Sequence, residues 1–327
     1  PIDGTNLINT VYSEEKWKNA MDASLKAIQE AEANGHKLFK EYDDPVKNYQ
    51  YLFLSETWNS EILWAKNIGT YQHHFNCGDP ASCNGFSILC PTQEMVESYE
   101  YAKGGFPDWT EWHGSTTKTP PYEQLEPRFH ASILYNGADW KGRKIEPYVG
   151  GADGWCQWNL EREPKGRTTT GYYLRKMVDE SHDVIAYSGG VQPLIVLRYA
   201  EVLLNKAEAC HKTNDPVGAN AAVRAIRDRV GLPYEDVTGD DLWKAIRQER
   251  KVELAYEGLW YWDLRRWGVA HKQYPEGLTG YQQHGLKIER YADGFKYTYV
   301  SVDDQDRNFS PKLYRFPMPT SELNNNA

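Results

Sequence analysis

Between residues 194 and 258 the sequence is punctuated for helices, and this limits the fold more than any other feature. Asp215-Pro216 places an N-cap before a first-turn proline, and Gly231-Leu232-Pro233 stops the segment that follows. Within that segment Ala219, Ala222, Val223, Ile226 and Val230 recur at helical spacing. Pro193 reads as the opening of a preceding helix carrying Ile195, Tyr199, Val202, Leu203 and Ala207. A third helix is expected from Asp240 to Glu257, ending at Gly258. The first two span about one 34-residue tetratricopeptide-like unit. Such units bury their apolar faces only against neighbours. The expected fold class is therefore mainly α, a tetratricopeptide-like helical scaffold with minor β.

The N-terminal region adds to this scaffold. Residues 13–34 read as an amphipathic helix, with Ser13 as N-cap, Glu14 and Glu15 in the first turn, and Asn34-Gly35 as the stop. Trp17, Met21, Leu25 and Ile28 form its apolar stripe. This stripe and the Tyr199, Leu203, Ala207 stripe are expected to need packing partners from outside the chain. Residues 48–68 give a second helical candidate with Trp58, Ile62 and Leu63. From Tyr71 to Gly190 the periodic runs are short, and Gly, Pro, Thr and Asn are frequent. A short helix is expected at 91–101, where Thr92 is a candidate cap, and strands at 129–135 and 297–302. A stretch this irregular usually serves a function. The organisation expected is a helical segment at 1–70, an irregular ligand-facing insertion at 71–192, and a helical scaffold with its tail at 193–327.

Charge narrows the possible partners. Lys and Arg number 37 against 46 Asp and Glu, a net charge of −9. Nucleic acid binding without sequence preference needs a basic surface, so no nucleic acid partner is expected. Direct attraction to anionic lipid is disfavoured for the same reason. Cys77 and Cys83 are close enough in sequence to pair in an oxidising compartment, and free, partly buried thiols are the other reading. His73, His74 and Cys77 match no standard zinc spacing. Asp303, Asp304 and Asp306 lack the glycine and distal glutamate of a calcium loop. Neither a metal nor a cofactor is expected. No nucleophile elbow, phosphate-binding loop or dinucleotide fingerprint occurs. Glu249, Glu253 and Glu257 lie four apart, with Arg247, Arg250, Lys251, Arg265 and Arg266 around them in sequence. An ion-paired structural network is preferred there to paired catalytic carboxylates.

The chain holds 12 Trp, 23 Tyr and 9 Phe. Trp and Tyr combine an apolar ring with a polar tip and suit half-wet binding faces. Trp243, Trp260, Trp262 and Trp267 fall in helical segments and read as packing. Trp109, Trp112, Trp140, Trp155 and Trp158 fall in the irregular middle. Gly104-Gly105, Pro107 and His113-Gly114 flank Trp109 and Trp112, which are therefore expected on a displayed loop. The candidate ligand contacts are Trp109, Trp112, His113, Tyr71, His73, Trp155 and Trp158. Aromatic faces stack on the C–H faces of sugar rings, and polar neighbours read the hydroxyls.

Several segments carry a resemblance. Residues 197–209, LRYAEVLLNKAEA, resemble a helix of the SusD/RagB family of outer-membrane nutrient-binding lipoproteins. Residues 247–258, RQERKVELAYEG, and 259–268, LWYWDLRRWG, are similar to a second signature of that family. Phe316-Pro317-Met318-Pro319, followed by Glu322-Leu323-Asn324, resembles its ending. Weaker echoes are Pro91-Thr92-Gln93-Glu94, Glu126-Pro127-Arg128-Phe129 and residues 170–176. The resemblance implies non-catalytic capture of an oligosaccharide at the outer surface of the outer membrane. It also implies delivery to a SusC-like TonB-dependent transporter. It further implies that the chain corresponds to a C-terminal portion, with further helices and a lipidated cysteine lying before it. Peptide or other non-glycan capture is the alternative within the resemblance. A glycoside hydrolase and a helical adaptor that binds only proteins are the alternatives outside it.

Overall fold

The computed structural model describes residues 12–55, 57–66, 78–113, 115–116, 118–157, 167–183, 193–315 and 320–321. Helix α1 spans Glu14–Ala33, and the Ser13 hydroxyl accepts from the Lys16 amide at 3.4 Å. Gly35, at φ +83°, turns the chain away where a side chain would be strained. Helix α2 is short, Pro45–Tyr51, with Asp44 as its cap. The expected helix over 48–68 is formed only where α2 overlaps its start, at 48–51. Ile62–Lys66 is strand β1 instead, and Trp58 is exposed. Short apolar runs do not distinguish strand from helix by periodicity, and here pairing decides.

The middle region alternates short elements: α3 (Gln93–Val96), β2 (Ser115–Thr116), α4 (Pro127–Ser132), β3 (Ile133–Leu134), β4 (Asp139–Trp140), β5 (Arg143–Lys144) and β6 (Tyr173–Leu174). The strand expected at 129–135 is therefore mostly helix. Thr92 is the N-cap of α3 but makes no side-chain cap bond. Next, β7 (Leu194–Arg198) pairs antiparallel with β1, where a helix was expected to begin. The helix proper, α5, starts at Tyr199 and runs to Lys212. Helix α6 spans Pro216–Arg229, and the Asp215 carboxylate accepts from the Gly218 amide at 2.9 Å. Helices α7 (Gly239–Glu253) and α8 (Trp260–Arg266) follow. Strands β8 (His284–Tyr291) and β9 (Gly294–Ser301) form a hairpin in full register, with β2 added beyond β9. No described helix is long and apolar enough to cross a membrane.

Two large cores result. In the first, Ile28 and Ala31 of α1 pack with Tyr199, Leu203 and Ala207 of α5, Ile226 of α6 and Ile246 of α7. The α5 stripe and the Met21–Ile28 end of the α1 stripe thus cover each other, which corrects the expectation of outside partners for those positions. Trp17, Met21 and Leu25 are left half-buried. The second core is aromatic and lies inside the irregular middle. Tyr99, Trp109, Trp112, Tyr122, Phe129, Trp140, Tyr172 and Tyr173 pack with Leu286, Ile288 and Tyr297 of the hairpin. Tyr122 stacks on Phe129 at 5.8 Å, and its hydroxyl meets that of Tyr172 at 2.8 Å.

A buried ion network joins the two cores, and its cations differ from those nearest in sequence. Glu249 pairs with Arg128 and Arg227. Glu253 pairs with Arg198 at 2.6 Å, Arg229 at 2.5 Å and Arg128 at 3.1 Å. Glu257 takes Arg198 at 2.7 Å and Lys176 at 2.8 Å. Burial alone would raise the Glu253 carboxyl, but the three guanidiniums hold it below its ordinary range. Arg250 and Arg266 instead pair with Asp263.

Candidate functional site

The 79–90 loop is built to present an apolar tip. Asp79 is fully buried and accepts from the Trp140 indole at 3.2 Å and from Lys141 at 3.3 Å. The Ser87 hydroxyl returns to the Asp79 carbonyl at 2.8 Å. Gly85 approaches so closely that a Cβ there would sit 1.9 Å from that carbonyl oxygen. A second buried carboxylate, Asp153, receives both Arg143 amino groups at 2.7 Å, the Glu146 amide at 2.9 Å and the Ser82 hydroxyl. These bonds fix the base of the loop, while Phe86, Ile88 and Leu89 remain 37%, 66% and 48% exposed at its tip.

That tip forms one wall of a groove of about 860 Å³. Polar side chains line it too, among them Gln157, Arg167, Gln283, Asp303, Gln305 and Arg307. Arg307 holds Asp303 at 2.5 Å and Gln283 at 3.0 Å. The hydrogen bond from Arg307 keeps the Asp303 carboxyl below its ordinary range, so it stays a charged acceptor. Thr169 and Thr170 line the groove too. The Thr170 carbonyl accepts from the Leu286 amide at 2.9 Å, tying this segment to β8. Gly285 permits that contact, since a Cβ there would meet Thr170 Cα at 2.4 Å.

The expected contact residues fall in different places. Trp109 and Trp112 are not displayed. They form a 3-10 helix whose rings are 5% and 8% exposed, and they meet edge to face at 5.8 Å inside the aromatic core. The positive-φ turn at Gly104-Gly105 precedes a segment that folds back onto the core instead of looping outward. His113 is at the surface, bonded to Glu97 at 2.7 Å and stacked on Tyr299 at 4.5 Å. The other face of Tyr299 carries His284, also at 4.5 Å, and His284 bonds Glu94 at 2.5 Å. Trp155 is half-buried; its indole donates to Thr169 at 3.0 Å, and Lys287 lies 5.8 Å from its ring centre. It is joined in sequence and by this bond to Cys156 and Thr169, which line the groove. Tyr71, His73 and Trp158 lie outside the described residues, as do His74 and Cys77.

Sequence reasoning missed Phe86, Ile88, Leu89, Arg167 and Arg307. The run from Phe86 to Leu89 between Gly85 and Pro91 carried a signal, being an apolar stretch inside breaker-rich sequence. Asp303 was read as a polar turn, and it does close a turn with Arg307, but it also faces the groove. Trp262, read as packing, is 50% exposed. Among the described residues, no group of three or more His, Cys, Asp or Glu side chains is placed to hold a metal ion.

A family model described as the SusD family matches residues 41–327. The chain belongs to the SusD family. A SusD-like protein from Bacteroides fragilis NCTC 9343 superposes with a TM-score of 0.76 at 26% identity, covering 94% of this chain and 60% of that one. A SusD-like carbohydrate-binding protein from the same organism gives 0.72 at 25% identity, covering 95% and 61%. SusD-like protein P38 of Formosa agariphila is 39% identical over 83 residues, which is 22% of this chain and 16% of that protein. The chain thus spans about 60% of the length of these solved SusD-like structures. Like them, it is a helical, tetratricopeptide-like scaffold.

Proposed function

We propose that the chain is the glycan-holding part of a cell-surface nutrient-binding protein, and that the groove beside the 79–90 loop takes an oligosaccharide. The observation that carries this reading is that apolar and polar side chains line one groove. Exposed Phe86, Ile88 and Leu89 offer apolar surface to sugar C–H faces, and Asp303, Arg307 and the amides of Gln283 and Gln305 offer donors and acceptors to hydroxyls. Trp155 and His113 are proposed as further contacts, Trp155 at the groove's edge. Trp109 and Trp112 would act by holding His113 and the hairpin in place. Tyr71, His73 and Trp158 are proposed as further contacts.

The proposed role is capture without turnover. The best carboxylate set, Glu249 and Glu253, is buried and saturated by arginines, which supports a structural role. A named SusD-like carbohydrate-binding protein at 25% identity supports the glycan class. Delivery to a SusC-like TonB-dependent transporter from the outer face of the outer membrane, with a lipid anchor before this segment, completes the proposal. A glycan array and a peptide panel screened side by side test it. Saturable binding to glycans, with no new reducing ends after prolonged incubation, is expected. Binding to peptides alone, or release of reducing ends that Glu249→Gln abolishes, would overturn it.

A further inference from the structure

Thr92, which precedes α3, lines the groove on one side and a smaller cavity of about 170 Å³ on the other. That volume matches roughly six waters, enough for one ring-sized group and too little for a chain. Trp260, Tyr274 and Tyr281 wall it, and Lys251 of α7 and Glu94 of α3 face it. The Lys251 ammonium makes no hydrogen bond to any described residue and lies 5.6 Å from the centre of the Trp260 ring. The contrast is Lys176, whose ammonium is filled by Tyr49 at 2.8 Å, Ala255 at 2.7 Å and Glu257 at 2.8 Å. Glu94 accepts from the His284 ring at 2.5 Å and from its amide at 3.3 Å. A carboxylate has about four acceptor sites, so others remain. The cavity therefore pairs unspent ammonium donors with unspent carboxylate lone pairs between aromatic walls. A ring bearing its own carboxylate or sulfate would be set against Glu94, with Glu97 close enough to act on the same ammonium.

We propose that this cavity is a subsite for one neutral sugar ring, at the end or a branch of a chain held in the groove. Lys251 donates to one ring hydroxyl, and Glu94 accepts from another. The proposal rests on the groove reading for its chain but has its own readout. Burial pulls the Lys251 ammonium down to about 8, against the opposing pull of Glu94 and Glu97. Mildly above neutral pH, much of it is free amine and open to acylation.

The test is site-resolved acylation of the intact chain with N-hydroxysuccinimidyl acetate, read by peptide mass spectrometry. The probes are glucose, galactose, mannose and glucuronate, each titrated separately. At least one neutral hexose is expected to slow Lys251 acylation saturably, by about tenfold when present near ten times its Kd. Exposed Lys244 should acylate at an unchanged rate. Unchanged Lys251 acylation with all three hexoses, or protection by glucuronate alone, would overturn the proposal. Failure of the groove reading shows elsewhere, as unchanged oligosaccharide affinity in an Ile88→Asp variant. That variant should keep the hexose protection of Lys251.

Discussion

Trp109 and Trp112 show how far single residues can be read from sequence. Breakers on both sides of two tryptophans suggest display, but a breaker marks only a change of direction. Here the Gly104-Gly105 turn sends both rings inward. Replacing either by Ala should therefore cost about 3–5 kcal/mol of stability, seen as a large drop in melting temperature. Variants that melt like the parent would restore the display reading. Glu126 carries a pH prediction. Burial pushes its carboxyl up to about 7 despite Arg128, and its Oε1 has no hydrogen-bond partner. A folded value above the unfolded one near 4.3 means the folded state holds the proton more tightly. Its contribution is therefore full below about pH 4.3 and is lost as pH rises towards 7. In Glu126→Gln, stability should fall less between these pH values than in the parent, by equilibrium denaturation at each pH. Parallel curves would show that the carboxyl titrates normally.

Elements were legible where local chemistry fixes them and obscure where pairing does. The Ser13 and Asp215 caps and the Gly35 turn set α1 and α6 within a residue or so, because a cap is a bond between near neighbours. Strands β1 and β7 were hidden because each is stabilised by the other across more than a hundred residues. Strand β8 was legible and overlooked: Leu286 and Ile288 alternate with Lys287 and Glu289, the period of a half-buried strand. The hairpin meets the groove through Gly285. A Gly285→Val side chain would meet the Thr170 backbone, so the Leu286–Thr170 hydrogen bond should break. Hydrogen exchange at the Leu286 amide should speed up while amides in α5 and α6 stay protected. Unchanged protection at Leu286 would show that the two segments dock without this contact.

At the scale of the whole molecule, the weak sequence echoes prove to be parts of one network. Glu126 and Arg128 come from one echo and Lys176 from another; Arg128 joins Glu126 to Glu253 of α7, and Lys176 meets Glu257 just beyond that helix. The sequence marked these carboxylates as structural, but naming their partners required the tertiary fold. Glu253→Ala would leave Arg198, Arg229 and Arg128 short of a shared anion, and breaking such a buried set costs about 3–5 kcal/mol. Because the network links helical and aromatic cores, far- and near-ultraviolet circular dichroism should be lost in one transition at lower temperature. Two separated transitions would mean the cores are independent. The groove lies apart from this network, and its tip residues support little of either core. The most direct test of the account is calorimetric titration of the best glycan from an array into the parent and into Ile88→Asp, with melting curves for both. The account predicts an unchanged melting temperature and an affinity at least about tenfold weaker, or about 1.4 kcal/mol. Equal affinity in the two proteins would place the glycan elsewhere and contradict it.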